Sequence, residues 1–334
     1  GDGGFVDVTS LLGDITHPRT RIQDRYFGNV WGAGFQPAWV DYDNDGDADL
    51  YVVNDFGTDI QPNVLWRNDG LGEDGNWVFE DVSDISDANL GIYGMGLAIG
   101  DYDLDGYQDL FITNINENVL LKNEGYGLHF VDTSLEMGIR EARKRVGWAT
   151  AFLDYDNDGD EDLYVVNGYI GDGSDIVNLD DQANILWRNG GTGTFTNVSS
   201  ASGVDDIGDG RGGAYLDYNR DGCLDLYVAN VGGRASLFEN TCDWEGNWLI
   251  VETVGTISNR DGIGAKILVV AGGISQVREV SKGSSSVSQN MSEAHFGLRL
   301  ANVIDSVTVR WPSGQFQVLT DLVSNQWVTV IEPK

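Results

Sequence analysis

Carboxylates recur in this chain at a spacing suited to holding a hard cation. DYDNDGDADLYVVN begins at Asp41 and returns as DYDLDGYQDLFITN from Asp101, DYDNDGDEDLYVVN from Asp154 and DYNRDGCLDLYVAN from Asp217. The pattern is D-x-D-x-D-G-x-x-D, with side-chain oxygens at positions 1, 3, 5 and 9 and Gly at position 6. Alternate residues of a tight loop point inward together, and Gly permits the sharp bend. Oxygen ligands in this number suit Ca²⁺ better than Mg²⁺, which demands strict octahedral geometry and keeps its water. Position 7 would contribute a backbone carbonyl, so its side chain is free to vary.

The candidate ligands are therefore Asp41, Asp43, Asp45, Asp47 and Asp49 in the first loop and Asp101, Asp103, Asp105, Tyr107 and Asp109 in the second. The third offers Asp154, Asp156, Asp158, Asp160 and Asp162, and the fourth Asp217, Asn219, Asp221, Cys223 and Asp225. About four Ca²⁺ sites are expected, the fourth the weakest because Asn219 removes a charge. An EF-hand would need Glu at position 12, where this chain has Val52, Ile112, Val165 and Val228. The competing reading is that these residues only make Asx-turns between strands. Four matched loops in matched contexts argue against it, since carboxylates packed together without a cation repel.

Each loop has the same neighbours, and these must position it. A small-residue segment precedes it (GAGFQPAWV, GMGLAIG, GWATAFL, RGGAYL) and a second apolar segment follows (NVLWRN, NVLLKN, NILWRN, ASLFEN). After three copies comes a further segment: FEDVS from Phe79, FVDTS from Phe130 and FTNVS from Phe195. Short apolar or alternating runs bounded by Gly, Asn and Asp are strand signals. One repeat thus reads strand A, acidic loop, strand B, strand C, strand D, which is how a β-propeller blade is written. The fourth copy lacks a D strand, while FVDVTS from Phe5 stands spare ahead of the first A strand. Pairing the two predicts an all-β fold: a four-bladed propeller over residues 1–243, closed by its own N-terminal strand. The same arithmetic allows that strand to be donated to a neighbouring molecule, linking subunits.

Composition bounds the partners. The 334 residues carry 53 Asp and Glu against 20 Lys and Arg, a formal charge of −33, which disfavours nucleic acid and anionic lipid. A hydrophobic fraction of 41% and ten Trp imply a packed core rather than a disordered polyanion. No apolar run reaches the ~18 residues that suggest a bilayer span. The chain starts at Gly1 without Met, which suggests a processed or trimmed product, with the lost segment a place for an export signal.

Residues 247–334 also read as β. NWLIVETV, AKILVVA, SQVREVS, SVTVRW, FQVLTDL and QWVTVIE give six short strands and a small antiparallel sandwich or barrel. The repeats resemble the FG-GAP or VCBS-type repeats of integrin α-chain propellers and secreted bacterial proteins, whose A–B loops hold Ca²⁺. The tail, with HFGL from His295 and VTVRWPSGQFQVL from Val307, resembles the ASPIC/UnbV domain of the cartilage acidic protein-like family. Relatives of that kind often carry more than four repeats, which would make this chain a short form or a fragment. The resemblance implies an extracellular adhesion or matrix role and no established enzymatic activity.

Cys223 and Cys242 are equidistant from the centre of the hairpin joining the fourth B and C strands, between Gly232 and Gly233. Facing residues of an antiparallel pair are close enough to bridge, so a disulfide and an oxidising compartment are expected. The three histidines have no nucleophile or second base near them in sequence, and no GxSxG, HExxH or phosphate loop is present. The expectation is a non-enzymatic, Ca²⁺-stabilised structural or adhesion protein at the cell surface. It would either self-assemble into a homo-oligomer, surface layer or filament, or act as a monomeric head for a protein or glycan. The rival from another class is a polysaccharide lyase or hydrolase sited in a propeller channel.

Overall fold

The computed structural model describes residues 6–12, 23–24, 28–29, 33–73, 75–125, 129–140, 145–170, 182–191 and 194–334. After a small pair, β1 (Gln23–Asp24) and β2 (Gly28–Asn29), the repeats form four sheets in chain order. The first is β3 (Gly34–Val40), β4 (Asp49–Asn54), β5 (Val64–Leu71) and β6 (Trp77–Asp81). The second is β7 (Leu97–Gly100), β8 (Asp109–Ile112), β9 (Val119–Asn123) and β10 (Phe130–Asp132). The third is β11 (Gly147–Leu153), β12 (Asp162–Asn167), β13 (Ile185–Asn189) and β14 (Phe195–Asn197). The fourth stops at β15 (Gly210–Leu216), β16 (Asp225–Asn230) and β17 (Ser236–Phe238). Every pairing within these sheets is antiparallel between consecutive strands.

The sheets stack face to face because their second strands are apolar on both sides. Side chains of a strand alternate between its two faces. Leu163 and Val165 therefore join a core with the second sheet, and Tyr164 and Val166 one with the fourth. Leu110 and Ile112 likewise pack toward the first sheet, and Phe111 toward the third. The first strands come closest to one another, which explains their small residues. A Cβ on Gly96 would lie 2.0 Å from the Trp148 carbonyl oxygen, so no side chain fits there.

Three inter-sheet cores result, joining sheets one to two, two to three and three to four. Among the described residues no hydrophobic core joins the fourth sheet to the first. The expected N-terminal latch is not seen among the described residues either. Phe5 lies outside the described residues, Val6–Val8 are in no strand, and Thr9–Leu12 makes a 3-10 turn beside β6. The all-β, blade-like repeat is as expected, whereas the closed ring is not observed.

The C-terminal part holds seven strands: β18 (Asn247–Val254), β19 (Lys266–Ala271), β20 (Ile274–Glu279), β21 (Ala294–Arg299), β22 (Val303–Arg310), β23 (Phe316–Val323) and β24 (Gln326–Ile331). They make two sheets, β21-β18-β24 and β20-β19-β22-β23, around a core that includes Leu249, Phe296, Ile267, Val309 and Trp311. This is a sandwich, but two expectations are corrected. The HFGL segment is a strand of its own, β21, and β18 pairs with β24 in parallel, from Leu249↔Gln326 to Val254↔Ile331. Parallel pairing needs a long crossover, and the rest of the domain lies between these two strands.

Candidate metal centres

All four acidic loops have one backbone form. Each leaves the end of a sheet's first strand and returns where position 9 faces that end: Val40↔Asp49, Gly100↔Asp109, Leu153↔Asp162 and Leu216↔Asp225. Position 4 is left-handed in every copy, with φ of 62° at Asn44, 59° at Leu104, 56° at Asn157 and 61° at Arg220. The Gly at position 6 has φ of 104° at Gly46, 89° at Gly106, 87° at Gly159 and 88° at Gly222, which a side chain would oppose.

Position 9 is the loop's clamp. One oxygen of Asp49, Asp109, Asp162 and Asp225 accepts the amide of the tyrosine at position 2, at 3.1, 3.2, 3.0 and 3.1 Å. The other accepts the amide of Asn68, Asn123 or Asn189 in the third strand, or of Asn240 just beyond it, at 2.7 to 2.8 Å. The side chains of Asn123, Asn189 and Asn240 reach the preceding sheet, donating to the carbonyls of Tyr42, Tyr102 and Tyr155 at 2.8, 2.8 and 2.7 Å. These asparagines tie loop to loop and were not singled out from the sequence. Their presence in all four RN, KN, RN and EN pairs was the available signal.

Position 1 folds the loop over itself. In loops two to four the two oxygens of Asp101, Asp154 and Asp217 accept the amides of positions 5 and 6 at 2.9 to 3.1 Å. Position 5 caps position 7: Asp45, Asp105, Asp158 and Asp221 accept the amides of Asp47, Tyr107, Asp160 and Cys223 at 2.8 to 3.1 Å. Asx-turns are thus real in these loops, alongside the clustering of carboxylates.

Positions 1, 3 and 9 gather in three of the four loops. Asp41, Asp43 and Asp49, then Asp101, Asp103 and Asp109, then Asp154, Asp156 and Asp162, each place carboxylate oxygens within 4.8 Å of one another. The carboxylates at position 5 lie outside these triads, and position 7, expected to offer its backbone carbonyl, is not part of such a side-chain group. The fourth loop does not form one: Asn219 hydrogen-bonds Asp221 at 2.8 Å, and Cys223 is bonded to Cys242. That disulfide, with Cα atoms 6.0 Å apart, matches the expected pairing. Its register differs slightly, since Leu226↔Phe238 and Val228↔Ser236 centre the hairpin on Gly232, with both cysteines beyond the strand ends.

The triads suit a cation. Each leaves one buried carboxylate oxygen with no hydrogen-bond partner: Asp41 Oδ1, Asp103 Oδ1 and Asp156 Oδ1. Burial pushes the Asp49 carboxyl up to about 8 and Asp101 up to about 7, and carries Asp109, Asp154 and Asp162 well above the usual range. For Asp156 burial and then the Asp158 charge raise the pKa to about 6. Without a cation these sites hold protons at neutral pH; a divalent ion would keep them ionised. The chain's own cations already lean on the rims. Lys122 contacts Asp103 and, at 3.3 Å, Asp105, and Arg188 contacts Asp156 at 2.6 Å and Asp158 at 3.0 Å.

The C-terminal sandwich docks on these same loops, which the sequence did not foretell. Lys266 meets Asp41 at 2.7 Å, Arg310 the Asp45 carbonyl at 3.1 Å, and Arg299 Asp160 at 3.1 Å. The Gly297 amide donates to Asp154 at 3.0 Å, and buried His295 contacts the Gly222 carbonyl at 3.1 Å. Residues 281–291 run on between the first strands of the sheets. The Ser285 amide donates to the Leu97 carbonyl at 2.6 Å, its hydroxyl to that of Gly213 at 3.1 Å, and Gln36 donates to Gly283.

Comparisons agree with this architecture. An FG-GAP-like repeat model matches residues 41–112, 101–165 and 169–263, and an ASPIC and UnbV model matches residues 255–334. Mouse and human Cartilage acidic protein 1 are 26% and 27% identical over 301 residues, covering 85% of this chain and 42% of theirs. The chain therefore spans well under half of those relatives. Among solved structures, an Agrocybe aegerita lectin described as recognising non-reducing terminal N-acetylglucosamine is 16% identical, covering 90% of this chain and 68% of the other, with a TM-score of 0.33. The Dos1 propeller is 14% identical, covering 84% and 68%, with a TM-score of 0.31. With both family models matched in order and nearly end to end from residue 41, this chain belongs to the family that joins FG-GAP-like repeats to an ASPIC and UnbV domain.

Proposed function

We propose that this chain is a non-enzymatic structural or adhesive module, working outside the cell and held rigid by Ca²⁺ in its acidic loops. The observation that carries the reading is the unpartnered buried oxygen repeated in three separate triads. Asp41, Asp43 and Asp49 would hold one ion, Asp101, Asp103 and Asp109 a second, and Asp154, Asp156 and Asp162 a third. Asp217, Asn219, Asp221 and Asp225 would bind weakly. Oxygen-only donor sets suit a hard cation rather than zinc or copper. The ion would neutralise charge and crosslink a loop; no reaction step is assigned to it.

The Cys223–Cys242 disulfide supports an oxidising compartment. Among the described residues no helix is long and apolar enough to cross a membrane. A channel-sited lyase or hydrolase is disfavoured because residues 281–291 cross between the first strands, bonded at Ser285 to Leu97 and Gly213, where its substrate would enter. A binding head for a protein or glycan remains the second reading, favoured by the exposed Trp39, Trp77 and Trp244.

Thermal unfolding with and without chelator, paired with calorimetric Ca²⁺ titration, tests the reading. Each occupied site adds about 0.4–1.4 kcal/mol at one to ten times its dissociation constant. The expected result is three clear binding events and a melting temperature lower by several degrees in chelator. Identical melting curves and no binding heat would overturn it.

A further inference from the structure

Among the described residues the fourth sheet lacks the outer strand that its three predecessors carry. We propose that the Phe5–Thr9 strand of a second copy of this chain completes it, joining copies head to tail.

The three complete sheets show what the missing strand must do. Their outer strands read F-x-D-V-S, F-x-D-T-S and F-x-N-V-S, ending at Ser83, Ser134 and Ser199. Each serine hydroxyl accepts the amide of a leucine in the neighbouring strand: Leu65 at 2.9 Å, Leu120 at 2.8 Å and Leu186 at 2.8 Å. The residue before the serine donates its amide to the same leucine's carbonyl, from Val82, Thr133 and Val198 at 3.0, 2.9 and 2.9 Å. Covered in this way, the three leucines are 0%, 0% and 1% exposed. Leu237, their counterpart in β17, is 54% exposed.

The phenylalanine of each outer strand meets the position-2 tyrosine of the preceding sheet, as Phe130 meets Tyr42 at 6.0 Å and Phe195 meets Tyr102 at 5.9 Å. Tyr155 instead meets Trp244, edge-on at 5.2 Å, from the segment that follows β17. Beside it opens a cavity of about 350 Å³ lined by Tyr155, Leu186, Val204, Leu226, Phe238 and Trp244. Trp244 thus takes the ring contact at Tyr155, while the cavity beside it and the β17 edge at Leu237, together the socket for a strand, stay open among the described residues.

The chain carries one spare segment of matching pattern, F-V-D-V-T from Phe5 to Thr9. Asp7 Oδ1 already accepts the Thr9 amide at 2.9 Å and hydroxyl at 2.6 Å. This is the turn that Asp81, Asp132 and Asn197 make with their serines. Yet Val6 is 83% exposed, and Thr9–Leu12 lies beside β6 of the first sheet rather than beside β17.

Chain order selects a second copy. Each outer strand leads into the first strand of the sheet that packs against its own. The sheet completed by Phe5–Thr9 must therefore face the first sheet, into which that segment runs. Within one chain the first and fourth sheets share no described core. Tyr227 is 43% exposed, whereas its counterparts Tyr51, Phe111 and Tyr164 are 3% or less, and Trp39 on the first sheet is 49% exposed. Stacking one copy's first sheet on another's fourth covers both faces with two different surfaces, a heterologous contact that propagates.

The test uses the full chain in saturating Ca²⁺, so that failure of the ion reading does not affect it. Light scattering should show wild-type mass rising with concentration to twice the monomer and beyond. Phe5→Asp, without a donor, and Leu237→Asp, without an acceptor, should each be monomeric, while an equimolar mixture restores a dimer. A peptide of residues 3–11 should bind Phe5→Asp and not Leu237→Asp, which guards against misfolded variants. A wild-type monomer at every concentration, with the peptide still binding Phe5→Asp, would mean self-closure and overturn the second copy. No peptide binding would overturn the socket itself.

Discussion

At the scale of residues, the acidic loops divide two tasks that the sequence presents as one. Asp162 has both oxygens committed to backbone amides, those of Asn189 and Tyr155, whereas Asp156 keeps a buried oxygen unpartnered. Asp162→Ala should therefore cost about 2–4 kcal/mol with or without chelator, because two buried amides lose their acceptor. Asp156→Ala should remove one Ca²⁺ from the titration and leave stability in chelator nearly unchanged. Denaturant unfolding in both buffers separates the two. For the same reason Asp158→Ala should cost more than Asp221→Ala. Asp158 carries the charge that Arg188 contacts, and Asp221 lies in the loop that has no triad. The raised carboxyl pKa values also give chelated protein a pH dependence. Between about pH 4 and 8 the folded state binds more protons than the unfolded one, since Asp156, Asp101 and Asp49 sit near about 6, 7 and 8. Stability in chelator should then fall as pH rises across that window, and saturating Ca²⁺ should flatten the slope. A slope unchanged by Ca²⁺ would contradict ion occupancy.

At the scale of elements, the repeated strand–loop–strand unit holds together through contacts to its neighbour. Asn189 donates to the Tyr102 carbonyl of the second sheet while its own amide holds Asp162, so one residue registers two sheets. The fourth sheet has only β17 at its edge, and its hairpin relies on the Cys223–Cys242 bond instead. Reducing that bond, or making Cys223→Ser with Cys242→Ser, should lower stability by about 3 kcal/mol, as expected for closing a loop of this size. Hydrogen exchange should show the loss concentrated in β16 and β17. The order and approximate position of the strands in the four repeats were legible in the sequence, because a sheet buried on both faces writes itself as a short apolar run. Strand β21 was missed because HFGL is too short a run to show a period, and only its pairing with β18 makes it a strand.

At the scale of the whole molecule, the C-terminal sandwich and the repeats form a joint interface across which a strongly acidic surface meets cations. Arg278 pairs with Glu161 at 3.1 Å, both largely buried, and Glu161 in turn accepts the Asp101 amide at 2.8 Å. Removing one partner of such a pair strands the other charge, at a cost of about 3–5 kcal/mol. Arg278→Ala should thus loosen the two parts and turn a single unfolding transition into two, seen by calorimetry. One unaltered transition would show that the interface does not depend on this pair.

What the sequence alone determined is what is local: the strand pattern of the repeats, the shared loop conformation, the disulfide and the missing carboxylate at Asn219. Spacing within about twenty residues dictates these, because φ preferences, side-chain alternation and hairpin register act over that range. Tertiary structure decided which carboxylates converge, which instead bind backbone amides, where Lys266 and Arg299 dock, and that the fourth sheet keeps an open edge. The first two depend on burial and on the folded path of each loop, and the docking on partners more than a hundred residues away, none of which a periodicity along the chain encodes.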